Sequence, residues 1–268
     1  MDHESLRQQR IGVFDSGVGG LTVVRALEEI LPGEDILYFG DSAHCPYGNR
    51  SREELLTLAD GLLDFMEAHE VKAIAVACNT LSTLYDDFAP GRRTRIFSIV
   101  EAGARYVQRH GIRRVGLTGT AFTVANGSYE RLITQKAPGT TLVGVPNRDL
   151  ARLIDEGRDE EIPANVEQTM AALEREGPLE QVILGCTHYP IARVYFEEMS
   201  PDTHFIDPAR EQAAMIREWL EREDLLRFSE NHRLEIVTSG DPARYEQMCR
   251  RLGLTAPETI RQEALSLR

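Results

Sequence analysis

The chain has 268 residues, with 42% hydrophobic and 27% charged, which is ordinary for a soluble globular protein and enough for two modest domains without covalent staples. Its net charge of -13 with no basic block argues against nucleic acid as a partner, because phosphate binding rests on clustered Lys and Arg. Four scattered cysteines with no CxxC pair exclude a disulfide framework and give no sign of a zinc or other metal site. The polar start "MDHESLRQQR" lacks the apolar stretch of a signal peptide, and no apolar run reaches the roughly 20 residues needed to span a bilayer. A cytoplasmic protein without membrane contact is the expectation.

In chain order, "IGVF" (11–14) reads as a strand that breaks at "DSGVGG", and 20–31 reads as a helix closed by Pro32-Gly33. "DILYF" (35–39) is a strand and "GDSAHCPYGN" a loop. Ser51 and Glu54 form a capping box, and the helix after it places Leu55, Leu58, Ala59, Leu62 and Met66 on one face. "AIAVA" (73–77) is the next strand, followed by strands at 95–99, 113–118, 141–145, 181–184, 203–206 and 233–238, with helical segments between most of them. This alternation predicts an α/β protein with largely parallel sheets, whose buried strands read as continuous apolar runs.

The chain also echoes itself. "IGVFDSG" (11–17) is similar to "VGLTGTA" (115–121), and "AVACNT" (75–80) to "ILGCTH" (183–188), in the same order. Two pseudo-equivalent α/β halves are therefore expected. With segments after 207 completing the first half, the division is 1–97 plus 208–268 and 98–207.

Ligands of open parallel sheets sit beyond the carboxyl ends of the strands. Four polar clusters fall at such ends: Asp15-Ser16-Gly17, the loop from Asp41 to Gly48, Cys78-Asn79-Thr80, and Cys186-Thr187-His188. "DSGVGG" has the glycines and helix start of an anion cradle, or else Asp15 and Ser16 simply cap that helix. It is not a P-loop, lacking the Gly-Lys-Ser/Thr ending. Cys78 and Cys186 each follow a buried strand and precede a helix start, a position expected to favour the thiolate. Asn79, Thr80, Thr187 and His188 supply donors suited to a carboxylate. His188, two residues past Cys186, is read either as a proton-transfer partner or as a structural histidine. Cys249 is expected to pack in an amphipathic C-terminal helix, and Cys45 to be incidental.

One cysteine from each half suits a symmetric task, moving a proton between the two faces of a carbon. Each sulfur would approach that carbon to about 3–3.5 Å, placing the sulfurs roughly 7 Å apart, too far for a disulfide.

The motifs "FDSGVGGLTV", "YFGDSAHCPYGNRS", "ACNT", "GTAFTV" and "LGCTHYP", in this order, resemble glutamate racemases over roughly residues 11 to 210. The resemblance implies two α/β domains related by a pseudo-twofold with the site between them, cofactor-free interconversion of L- and D-glutamate for peptidoglycan, and a homodimer. It implies Cys78 and Cys186 as the two acid/bases, acting on D- and L-glutamate respectively, with Asp15 and His188 assisting. It further implies substrate contacts from Asp15, Ser16, Tyr47, Gly48, Asn79, Thr80, Thr120, Thr123, Thr187 and His188. The chain departs from the family at Ala102, where proline is common, at His44-Cys45, and at Asp155, where glutamate is usual. The shorter Asp155 sets the expectation of a less firmly oriented His188. A related racemase acting on aspartate is the alternative, and a binding protein for an anionic ligand with structural cysteines is the reading from another class.

Overall fold

A computed structural model describes residues 3–267. Ten strands form in chain order: β1 (Ile11–Asp15), β2 (Ile36–Gly40), β3 (Ala73–Val76), β4 (Arg95–Ser98), β5 (Arg114–Gly119), β6 (Thr141–Pro146), β7 (Gln181–Gly185), β8 (His204–Ile206), β9 (Leu234–Thr238) and β10 (Thr259–Gln262). They make two wholly parallel sheets, ordered β10-β9-β2-β1-β3-β4 and β6-β5-β7-β8. The echo in the sequence has a structural counterpart. The run β2-β1-β3-β4 and the whole second sheet share one strand order, so β1 corresponds to β5 and β3 to β7. Cys78 and Cys186 therefore follow equivalent strands.

β1, β2 and β3 are buried along their whole length, as continuous apolar runs covered on both faces must be. β6 differs, being half-exposed or exposed throughout, because it is the edge of its sheet. β10 is a strand that the sequence does not announce. "TIRQ" carries no apolar run, and it pairs at the edge of the first sheet, where one face suffices. The capping box is present, with Ser51 Oγ accepting from Glu54 N–H and Glu54 accepting from Ser51 N–H. All five residues assigned to the inner face of that helix are buried.

The helix Pro208–Arg222 leaves the second sheet and packs against both the helix Leu21–Ile30 and the helix Ile99–Arg109. From it Gln212, fully buried, donates to Val76 O (3.0 Å) and Phe97 O (2.9 Å), carbonyls near the carboxyl ends of β3 and β4. One apolar core runs continuously from Ile11 and Val13 through Val100 and Val107 to Ile183 and Ile206, joining the layers of the two sheets. Among the described residues no helix is long and apolar enough to cross a membrane.

Candidate active site

The carboxyl ends of the two sheets open onto one cleft with a volume near 610 Å³. Its walls carry Ser16, Tyr47, Gly48, Cys78, Asn79 and Thr80 from the first half, and Thr120, Cys186, Thr187 and His188 from the second. All four polar clusters picked out in the sequence converge there. Asp15 and Thr123, also predicted for the site, stand behind the wall, each fully buried.

The "DSGVGG" loop differs from both readings of it. Gly20 precedes the helix with no side-chain cap. The Asp15 carboxylate instead accepts from Gly17 N–H (3.3 Å) and Gly20 N–H (2.9 Å), so these amides serve the chain's own anion. The glycines also admit the other half of the molecule. A Cβ on Gly19 would lie 2.5 Å from His188 Nδ1 and 2.6 Å from Thr187 Oγ1, closer than atoms pack. Thr22 Oγ1 donates to Thr187 O (3.2 Å) across the same seam.

Cys78 follows β3 and opens a helix of only four residues, Asn79–Ser82. The expectation of a favoured thiolate is overturned. Burial and the Asp15 carboxylate push the Cys78 thiol well above the ordinary value, outweighing the Leu81 N–H and the Ser16 hydroxyl. One helical turn is too short a dipole to offset removal from water. Cys78 rests as a thiol. Burial likewise raises Asp15, against the pull of His188 and the glycine amides.

The second thiol has a different neighbour. His188 Nδ1 lies 3.9 Å from Cys186 Sγ, and Nε2 lies 3.0 Å from Asp155 Oδ1. Asp155 ends the helix Leu150–Asp155, placed so that its short side chain reaches the ring. The expected slackness of His188 is therefore not found. Burial disfavours the imidazolium, but Asp155 and the Cys186 sulfur outweigh it and hold the His188 pKa well above the ordinary histidine value. Asp155, although itself desolvated, is held below the usual carboxylate range by His188 and Arg244. Arg244 belongs to the helix Pro242–Leu252 after β9, and its guanidinium donates to Asp155 O (3.0 Å).

Polar side chains along the walls are mostly committed to one another. Tyr47 OH donates to Asp41 (2.5 Å), which also accepts from Ser239 Oγ (2.6 Å) and meets His44 Nδ1 (2.8 Å). Tyr47 thus spends its phenol proton on Asp41. Thr80 Oγ1 contacts Thr120 Oγ1 (3.0 Å) and Thr123 Oγ1 (3.3 Å), a hydroxyl cluster bridging the two halves. Cys45 lines the cleft, and burial pushes its thiol up to about 11. Cys249 is buried in its helix, as expected. Among the described residues no group of three or more His, Cys, Asp or Glu is arranged to hold a metal ion.

Sequence reasoning missed Arg244 and Asn147 on these walls. One signal was available for Arg244. "TSGDPAR" (238–244) starts at the last residue of β9 and continues with Ser-Gly, as "DSG" does from the last residue of β1.

The Asp/Glu/hydantoin racemase family model matches residues 11–216. A glutamate racemase from Thermus thermophilus is 37% identical over 256 residues, spanning 95% of this chain and 96% of its own. One from Thermoanaerobacter pseudethanolicus is 36% identical over 235 residues, 86% of this chain and 88% of its own. Among solved structures, glutamate racemase isoform RacE1 from Bacillus anthracis has a TM-score of 0.89 at 28% identity, covering 97% of this chain and 99% of that one. The Francisella tularensis glutamate racemase, solved in complex with D-glutamate, has a TM-score of 0.87 at 30% identity with the same coverage.

Proposed function

The chain belongs to the Asp/Glu/hydantoin racemase family, and from that premise we propose that it is a glutamate racemase working with two thiols and no cofactor. The observation that carries the reading is the pair Cys78 and Cys186, which follow equivalent strands in the two sheets and line one cleft. Similarity to glutamate racemases over nearly the whole chain supports glutamate as the substrate.

The α-carbon of glutamate sits between the two sulfurs. Cys186 as thiolate takes the α-proton of L-glutamate while Cys78 as thiol delivers a proton to the opposite face, giving D-glutamate. The reverse reaction exchanges the two roles. The surroundings of the two sulfurs suit the first direction, since burial and Asp15 favour the thiol at Cys78 and Asp155 favours the imidazolium of His188 next to Cys186. The His188 cation stands by the sulfur that bears negative charge when Cys186 acts as base, and Asp155 keeps that cation in place. Asp15 assists on the Cys78 side from behind the wall. Donors at Asn79, Thr80 and Thr187 hold the α-carboxylate and spread the charge that develops as the proton leaves. Ser16, Tyr47, Gly48, Thr120 and Thr123 complete the enclosure, the last by backing Thr80. The proposed division is 1–97 plus 208–268 and 98–207; the grouping of β1–β4, β9 and β10 in one sheet and β5–β8 in the other supports it, although β4 runs one residue past the boundary, to Ser98. The reading assigns the protein to supply of D-glutamate for peptidoglycan in the cytoplasm, as a homodimer; sedimentation at varied concentration tests the last.

The test is proton NMR in deuterated water, paired with chiral chromatography of the same samples, with cofactor-free protein and, separately, L-glutamate, L-aspartate and a hydantoin. Loss of the α-proton signal with growth of the opposite enantiomer is expected for glutamate alone. Exchange of aspartate in place of glutamate would move the assignment to the alternative substrate, and binding of glutamate without exchange would reduce the protein to a binding function. Cys78→Ala and Cys186→Ala should each lower the rate by on the order of 10²–10⁴-fold. Because the equilibrium between mirror images is unity, kcat/KM must fall equally in both directions for either variant.

A further inference from the structure

Asn79 is the residue after Cys78 and is almost completely buried on the cleft wall. Its side-chain oxygen is taken, since Tyr129 OH donates to Asn79 Oδ1 at 2.7 Å. Its side-chain nitrogen has no partner, and among the described residues it is the only buried side-chain nitrogen or oxygen of the cleft wall in that condition. Buried amide nitrogens are rarely left unpaired, and an orphan donor beside a cavity marks where a ligand acceptor belongs. An amide has two faces that differ only by a flip, one presenting NH₂ and the other C=O. Which face meets the ligand is decided by what holds the other end.

Tyr129 lies in the helix Ser128–Lys136 of the second half. Burial raises its hydroxyl pKa far beyond the working range, so the group remains a proton donor. Its ring is fixed in place. A Cβ on Gly103 would lie 2.8 Å from Tyr129 Cε1, so the ring packs directly on the backbone of the helix Ile99–Arg109. The neighbouring Ser128 Oγ donates to Thr83 O (2.7 Å), a second bond from the same helix to the segment that follows Cys78.

We propose that Tyr129 is a positioning residue for the reaction: by donating to Asn79 Oδ1 it locks the amide with its NH₂ toward the cleft, where it binds a substrate carboxylate. The inference rests on the glutamate racemase reading above. A carboxylate only accepts hydrogen bonds at neutral pH, so a flipped amide would present an oxygen to it and repel it. Among the described residues the Tyr129 hydroxyl is the hydrogen-bond partner that holds this amide, so its removal frees the flip. The assignment deepens the site in one respect: a residue of the second half sets the donor orientation of a residue in the first, so carboxylate binding senses the register of the two halves.

The test compares wild type, Tyr129→Phe, Asn79→Ala and the double variant. Tyr129→Phe removes one oxygen and keeps the ring against Gly103, and circular dichroism checks that all four proteins fold. KM for both L- and D-glutamate should rise about 10-fold in Tyr129→Phe, the loss expected for one misdirected hydrogen bond to a charged group, with a smaller change in kcat. On the Asn79→Ala background the same substitution should change KM less than about twofold, since Tyr129 acts through Asn79. Calorimetric titration with L-glutamate follows the same four proteins where turnover is too slow. A Tyr129→Phe enzyme with wild-type KM overturns the proposal, and so does a loss of equal size in both backgrounds, which is the mark of a merely structural role. A wild-type protein that racemises no glutamate overturns the proposed function itself, and the inference falls with it.

Discussion

Asp155 Oδ1 stands 3.0 Å from His188 Nε2, and the other ring nitrogen faces Cys186 Sγ at 3.9 Å. A carboxylate on one side and a sulfur on the other favour the imidazolium and raise the His188 pKa well above the ordinary histidine value, against the cost of burial. The two thiols of the cleft therefore sit in opposite fields, Cys78 beside the Asp15 carboxyl group and Cys186 beside the His188 ring.

Replacing Asp155 by Asn should lower the pKa of His188 and shift the alkaline limb of the activity profile downward with it. It should also destabilise the fold, with a pH signature. The depressed Asp155 contributes stability above the ordinary carboxylate range that is lost as pH falls through its lowered pKa. The raised His188 contributes stability fully present below about pH 6.5 that is lost as pH rises through its raised pKa. The gap in Tm between wild type and Asp155→Asn should be widest between those limits and narrow on both sides. About 2 kcal/mol is expected at the maximum, a shift of several degrees by thermal unfolding. Arg244→Ala, which removes a half-exposed partner of Asp155, should cost no more than about 1 kcal/mol.

The raised Cys78 thiol predicts its reactivity. Alkylation by iodoacetamide, followed by peptide mapping at a series of pH values, should accelerate about tenfold per pH unit through pH 9 without levelling. A plateau below pH 8 would show a stabilised thiolate and contradict the burial argument. Cys45, with its thiol raised to about 11, should behave similarly and serves as an internal comparison.

Gly19→Ala tests the seam between the halves. The new methyl would meet His188 and Thr187 at distances below any packing contact, so one side must move. A loss of about 1–3 kcal/mol in stability is expected. kcat/KM should fall by at least an order of magnitude, because His188 is the group displaced. Wild-type kinetics in this variant would mean that the seam yields without disturbing His188.

Lys72 anchors the base of the first sheet. Its ammonium, wholly buried, lies 2.6 Å from the buried Glu34 carboxylate and donates to Arg7 O (2.7 Å) and Leu225 O (2.9 Å). Lys72→Met should destabilise by about 3–5 kcal/mol, since it strands a carboxylate in the interior. Lys72→Met combined with Glu34→Gln should recover part of that loss, measured by denaturant midpoint. Activity per folded molecule should be unchanged, because this cluster lies at the amino ends of β2 and β3, away from the cleft.

Much of this was legible in the linear chain because the signals are local. Runs such as 11–14 and 73–77 are apolar at every position, or nearly so, since both faces of a central parallel strand are covered. The Ser51–Glu54 box announces its helix through neighbours three residues apart. The repeated placement of Cys78 and Cys186 after equivalent strands pointed to a paired function before any distance was known. What only the tertiary structure decided are quantities that depend on residues far apart in sequence. The charge state of Cys78 follows from its depth and from Asp15, not from the helix turn beside it. Asp155 reaches His188 from 33 positions away, Tyr129 reaches Asn79 from 50, and Arg244 reaches Asp155 from 89. β10 escaped notice because an edge strand needs no apolar run. Strand and helix are written in periodicity, which short windows contain; burial, and with it acidity and hydrogen-bond direction, exists only once the chain has closed on itself.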